Sequence, residues 1–262
     1  MSHIALTADP TALRKPPTIA AFVEATRRGP PWLATNTHLL VRAGSDAHGL
    51  ADDESDVNIR GLCLPPREYY LGFHRRFDRF YSRHPNVEIL ELRTFMRAAA
   101  GGDLQALLPL FVHVDDVLLS GWAGVALRER RNLFLSQRIV APLVSYAKTM
   151  INATRGMVTE ARKVPGFNIR RIGKAAMHAT RAVVTLREVL RGQSYIVRRP
   201  DAEYLRSIRD DIPNALMYAE TAEGTLSAYP EWIQQTGLPE LPDYGALDAL
   251  CQRLISRSLS EG

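Results

Sequence analysis

The sequence predicts an α+β protein in which a small unit of strands and short helices is followed by a helical part. Two observations carry this. Three short β patterns crowd into residues 38–92, each bounded by Gly, Pro or charged residues. Beyond residue 112 the apolar residues instead recur at three- and four-residue spacing, the period of amphipathic helices. The expected division is a lead-in over 1–30 with one short helix, a core over 31–112 and an α-helical domain over 113–262.

In chain order, PTIAAFVEATRR reads as a short helix closed by Gly29-Pro30-Pro31. HLLVRA is a first strand, DVNIRGLCL a second, and NVEILEL a third that alternates strictly at its start. The third runs directly into a helix, RTFMRAAAG, stopped by Gly101-Gly102. Residues 129–163 carry a long helical pattern in which Pro142 marks a boundary or a first turn. Residues 168–192 form the clearest helix, stopped by Gly192, and shorter ones follow at DAEYLRSIRD and GALDALCQRLISRSL.

Composition narrows the class. At 46% hydrophobic and 23% charged residues, the chain is an ordinary globular protein rather than a disordered or fibrous one. Charges interrupt every apolar stretch before the roughly 20 residues that a membrane span needs. The first residues, MSHIALTADPTALRK, hold no signal-peptide core. Cys63 and Cys251 are too few for a disulfide framework, so a reducing, cytoplasmic setting is expected. The net charge is +5, and only four basic residues are Lys. The rest are Arg, whose planar fork suits phosphate, and a mild positive excess permits a polyanionic partner.

The chemistry concentrates in HLLVRAGSDAHGLADDESDVNIRGLCL. A strand delivers the chain to Gly44-Ser45, followed by a short helical turn and a strand bearing Asp56 and Asn58. Gly lets a backbone approach a phosphate closely, and a hydroxyl beside helix-start N–H groups can hold anionic oxygens. Positions two apart on a strand share a face, and Glu88 on the third strand completes a trio if those strands are neighbours. Clustered oxygen ligands around Mg2+ and a triphosphate are what metal-assisted nucleotidyl transfer requires.

These residues resemble the DNA polymerase β-like nucleotidyltransferase superfamily, and in particular its branch associated with RNA ligases. The resemblance rests on Gly44-Ser45-x-Ala47-x-Gly49, Ser55-Asp56 with Arg60-Gly61, and Pro65-Pro66-x-x-Tyr69. It continues through Val87-Glu88-Ile89, Leu92-Arg93-x-Phe95, and Lys174-x-Ala176-Met177-His178-x-x-Arg181. Arg199-Pro200 and Tyr204-Leu205-x-x-Ile208-Arg209 close it. It implies a nucleotidyltransferase-type mixed β-sheet core with helices, followed by an α-helical C-terminal domain. It also implies Gly44, Ser45, Arg60, Lys174, His178 and Arg181 at the nucleotide, with Asp56, Asn58 and Glu88 as catalytic, metal-binding positions for Mg2+ or Mn2+. The implied activity moves a nucleoside monophosphate from an NTP to an acceptor hydroxyl, an RNA end or another acceptor. The chain departs from the pattern at Asn58, where the family has a second carboxylate, and at Asp46, His48 and Leu108. A nucleotide- or RNA-binding module that has lost a metal ligand is therefore the alternative.

Plainer readings stand beside these. Asp56 closes an acidic run that could simply be solvated, and Glu88 could be the wet side of a half-exposed strand. Glu91, its neighbour, has the opposite parity. Lys174, His178, Arg181, Thr185 and Glu188 share one helical face, either lining a cleft or facing solvent, opposite a core stripe of Ile172, Ala176, Ala179, Val183, Leu186 and Leu190. REYYLGFHRRFDRFYSRH interleaves five Arg with six aromatic rings, either a grip on a single nucleic-acid strand or a connector with its rings packed on the core.

Overall fold

In the computed structural model, residues 18–261 are described. Residues 1–17 of the expected lead-in lie outside them. The order is α1 (Ile19–Thr26), β1 (Thr37–Arg42), α2 (Ser45–His48), β2 (Asn58–Cys63), α3 (Glu68–Leu71), β3 (Arg79–Ser82), β4 (Asn86–Glu91), α4 (Leu92–Ala100) and α5 (Leu104–Phe111). Then come β5 (Val117–Ser120), α6 (Trp122–Glu129), α7 (Val140–Ala161), α8 (Arg170–Leu190), α9 (Ala202–Asp210), α10 (Ala215–Leu226), α11 (Tyr229–Gln234) and α12 (Tyr244–Glu261). The fold is α+β, as the sequence indicates.

The five strands form one mixed sheet in the order β3-β4-β2-β1-β5. β2 and β4 run parallel, with Asn58 opposite Asn86 and Arg60 opposite Glu88, while the other pairs are antiparallel. Alternation therefore divides the sheet cleanly. Leu40, Ile59, Cys63, Val87 and Ile89 face Phe22 of α1 and Leu33. Leu39, Val41 and Leu62 face the helices and share one continuous core with Phe95, Leu107, Leu143, Ala147, Val183 and Leu186.

Several elements escape sequence patterning. β3 is a four-residue edge strand flanked by arginines, and β5 is equally short, so neither offers enough alternation to register. The sheet thus takes its other edge strand from beyond residue 112. α5 hides in a continuous apolar run interrupted by Pro109. The pattern over 129–163 is broken into α6's end, two 3-10 turns, and α7, which begins at Val140 and carries Pro142 in its first turn. No helix among the described residues is long and apolar enough to cross a membrane.

Candidate functional site

The site is built around the turn that leaves β1. Gly44 has φ 63° and ψ −141°, a conformation side chains disfavour, and an added Cβ would lie 2.9 Å from the Asn58 amide nitrogen. Here the backbone of one loop rests directly on the amide of another. Asn58 opens β2, and its Nδ2 donates to the Asp56 carbonyl at 3.0 Å. The Ala43 N–H donates to the Asn58 carbonyl at 2.9 Å, which locks the two segments side by side. Asp56 is exposed and lies in the loop just before β2 rather than on the strand, which corrects the expected strand start. Ser45 is partly exposed at the head of α2, a single turn closed by Gly49.

The helical part grips this turn from behind. The buried His48 shares its Nδ1–H with the Val197 carbonyl at 2.8 Å, and its Nε2 receives an N–H from Arg181 at 3.1 Å. The Arg199 N–H donates to the His48 carbonyl at 3.2 Å. On α9, Arg206 donates to the Gly49 carbonyl at 2.6 Å and Arg209 to that of Leu50 at 3.2 Å. α9 reaches so close to α8 because Gly173 has no side chain: a Cβ there would strike the Arg209 carbonyl at 2.0 Å. Arg206 carries no signal of its own in a single sequence beyond its place on the polar side of α9, whereas Arg209 stands in the Tyr204-Leu205-x-x-Ile208-Arg209 motif, which gave it no role. Arg206 is the residue of this site that sequence reasoning missed.

The polar stripe of α8 proves to be mostly an inward face. Arg181 lies 5.7 Å from the Tyr146 ring besides bonding His48, and its Nε, the His178 Nδ1 and the Thr185 hydroxyl are buried without protein partners among the described residues. Burial first, then the nearby Arg181 and Lys174, push the His178 pKa down to about 3. Burial and Arg181 likewise hold His48 well below the ordinary imidazole range, so both rings are neutral near pH 7. Glu188 and Asp201 clamp the Arg199 side chain, which is 1% exposed. Lys174 alone stays exposed, lining a cavity of about 410 Å³ with Asp52, Glu54, Arg171 and Arg209. The six apolar positions opposite the stripe are all buried.

Glu88 and Arg60 stand side by side on the helix-facing side of the sheet. The Glu88 carboxylate lies 3.5 Å from Arg60 Nε and 3.7 Å from Arg79 Nη1, close enough for charge but not for hydrogen bonds. Arg60 also donates to the Asn86 side-chain oxygen at 3.1 Å. Arg60, Arg79, Glu88, Asp78 and Asp103 line a second cavity of about 420 Å³. Glu91 is a buried cap instead, accepting the Thr94 N–H at 3.0 Å.

Among the described residues, no three His, Cys, Asp or Glu side chains converge as a metal cage. A divalent cation at this turn would have Asp56 and the Asn58 amide oxygen as its protein donors and would need a nucleotide's own phosphates for the rest. Mg2+ is commonly bound that way, through one or two side chains, substrate phosphates and water.

The profile of the RNA repair pathway DNA polymerase beta family, RlaP, matches residues 32–211. The chain belongs to that family. The match takes in every candidate residue above, from the Gly44 turn to Arg209. The family makes the chain a polymerase β-like nucleotidyltransferase relative. Among solved structures, a nucleotidyltransferase-like protein from Exiguobacterium sibiricum 255-15 aligns over 90% of this chain and 87% of its own, at 13% identity and TM-score 0.35. No curated protein matches.

Proposed function

We propose that the chain transfers a nucleoside monophosphate from an NTP to an acceptor hydroxyl, an RNA end or another acceptor, and releases pyrophosphate. The observation that carries this is the Gly44 backbone resting on the Asn58 amide, which bonds the Asp56 carbonyl, with Arg181 of α8 and Arg206 of α9 holding the turn from behind. In this reading Gly44 and Ser45 admit the phosphates, and Lys174 supplies charge at the mouth. Arg181 acts through His48, fixing the turn. Asp56 and Asn58 hold the cation, Mg2+ or Mn2+, which when bound neutralises phosphate charge and polarises the α-phosphorus. The acceptor oxygen forms a bond to that phosphorus as the bond to the bridging oxygen breaks, and the acceptor proton passes to water. Glu88, held between Arg60 and Arg79, reaches a cation only by leaving them, so its first role is to orient those guanidiniums.

A second reading is favoured by Asn58 and by the arginines on Glu88: a nucleotide- or RNA-binding module without turnover. Incubation with α-labelled NTPs and Mg2+ or Mn2+ separates the two. Transfer labels an acceptor and releases pyrophosphate, whereas a binder retains affinity and releases none.

A further inference from the structure

We propose that the β3 edge of the sheet docks a single-stranded nucleic acid, whose end lies across the polar sheet face toward Gly44 and Asn58. The direction toward that site rests on the transfer reading above, while the docking surface stands by itself. Of the six rings in residues 67–84, four are accounted for by packing. Tyr69 and Phe77 stack edge-on to Trp32 at 5.2 and 4.9 Å, Phe80 joins the cluster beneath the sheet, and the Tyr70 hydroxyl is buried. The other two point outward. Phe73, in the connector before β3, is 96% exposed, and Tyr81, on β3 itself, is 56% exposed.

Arginines surround them. Arg75 pairs with Glu68 and Arg79 with Glu88, but Arg76 and Arg83 have no carboxylate partner among the described residues. β3 is also the outermost strand on its side, so nothing else in the sheet covers it. Charge alone would be a plain device against edge-to-edge pairing. Two exposed rings are not, because they invite contact. Guanidiniums for phosphates beside rings for bases is the combination that holds a single strand without needing its sequence. The register supplies a path inward. Tyr81 is opposite Glu88, which is opposite Arg60, so all three share one face over two strand spacings, about 10 Å. Asn58 follows on that same face of β2, beside Gly44. The middle of this row, Glu88 and Arg60, lines the cavity of about 420 Å³.

The test is fluorescence anisotropy of a labelled, mixed-sequence single-stranded RNA with the full chain, without NTP or divalent cation, across a salt series. Phe73→Ala and Tyr81→Ala should each weaken binding about tenfold, within the range for loss of one stacked base. The double variant Arg76→Gln/Arg83→Gln should lower the slope of log affinity against log salt by about 1.4, two phosphate contacts at about 0.7 each. NTP affinity by calorimetry should not move in any of them. The proposal is overturned if the wild type fails to bind the RNA at low salt, or if these variants bind as tightly and with the same slope. It is equally overturned if sedimentation shows the edge pairing two copies of the chain with no RNA affinity. Pyrophosphate release plays no part in the readout, so failure of the transfer reading and failure of this one are distinct results.

Discussion

Acidification should destabilise the protein through the back of its site, by an amount that His178 lets one work out. The His178 pKa falls from an ordinary 6.5 to about 3 in the folded chain, because the ring is buried beside Arg181 and Lys174. Below its unfolded value the unfolded chain binds a proton that the folded chain refuses, so stability falls as pH falls through 6.5 and keeps falling toward the folded value. Between about pH 7.5 and about pH 5 the loss from this one residue is RT times the logarithm of roughly 30, about 2 kcal/mol. His48 adds to it in the same direction, since burial and Arg181 depress it as well. For a chain of this size 2 kcal/mol is about 4–8 °C in Tm. The assay is urea unfolding of the wild type and of His178→Asn at both pH values. The variant should lose about 2 kcal/mol less stability on acidification than the wild type does. Equal pH dependence in the two proteins would mean that His178 titrates alike folded and unfolded, which returns the α8 stripe to solvent and refutes its inward placement.

Other outcomes follow from single contacts. Gly44→Ala should weaken NTP binding by calorimetry, because its Cβ would displace the Asn58 amide 2.9 Å away; unchanged affinity removes the turn from the site. Lys174→Gln should weaken triphosphate binding more than monophosphate binding, since exposed charge at the cavity mouth is its contribution; equal small effects would exclude it. Arg199→Met should destabilise the fold by about 3–5 kcal/mol in urea titrations, because it strands Glu188 and Asp201 beside a buried site. A loss under about 1 kcal/mol, the range of exposed pairs, would show that this clamp is solvated.

Much of this architecture was legible because periodicity is a local signal. The first, second and fourth strands and α8 fall within one or two residues of their patterns, and the Gly44, Asp56 and Arg60 motif announces the turn. β3 and β5 were not legible, since four residues hold too little alternation. The α8 stripe illustrates a different limit. Lys174, His178 and Arg181 are legible as one face, but whether that face meets water or protein depends on where His48 and Tyr146 arrive from elsewhere in the chain. The same holds for Glu88, whose parity reads correctly while its two arginine neighbours come from adjacent strands. Arg206 and Arg209 bind backbone carbonyls, and a bond to a carbonyl leaves no mark in the sequence of the segment that accepts it.

Pyrophosphate release from NTPs with Mg2+ or Mn2+, measured on the wild type, Asp56→Asn and Asn58→Asp, tests the central claim most directly. Asn58 supplies one charge fewer than a carboxylate there, and a charge-assisted contact contributes about 1.5–3 kcal/mol, or roughly one to two powers of ten. The account predicts measurable release by the wild type, none by Asp56→Asn, and faster release with tighter metal binding by Asn58→Asp. Release that is absent from all three proteins while NTP still binds would contradict it and leave the binding module. Release that survives Asp56→Asn would place the chemistry elsewhere in the molecule.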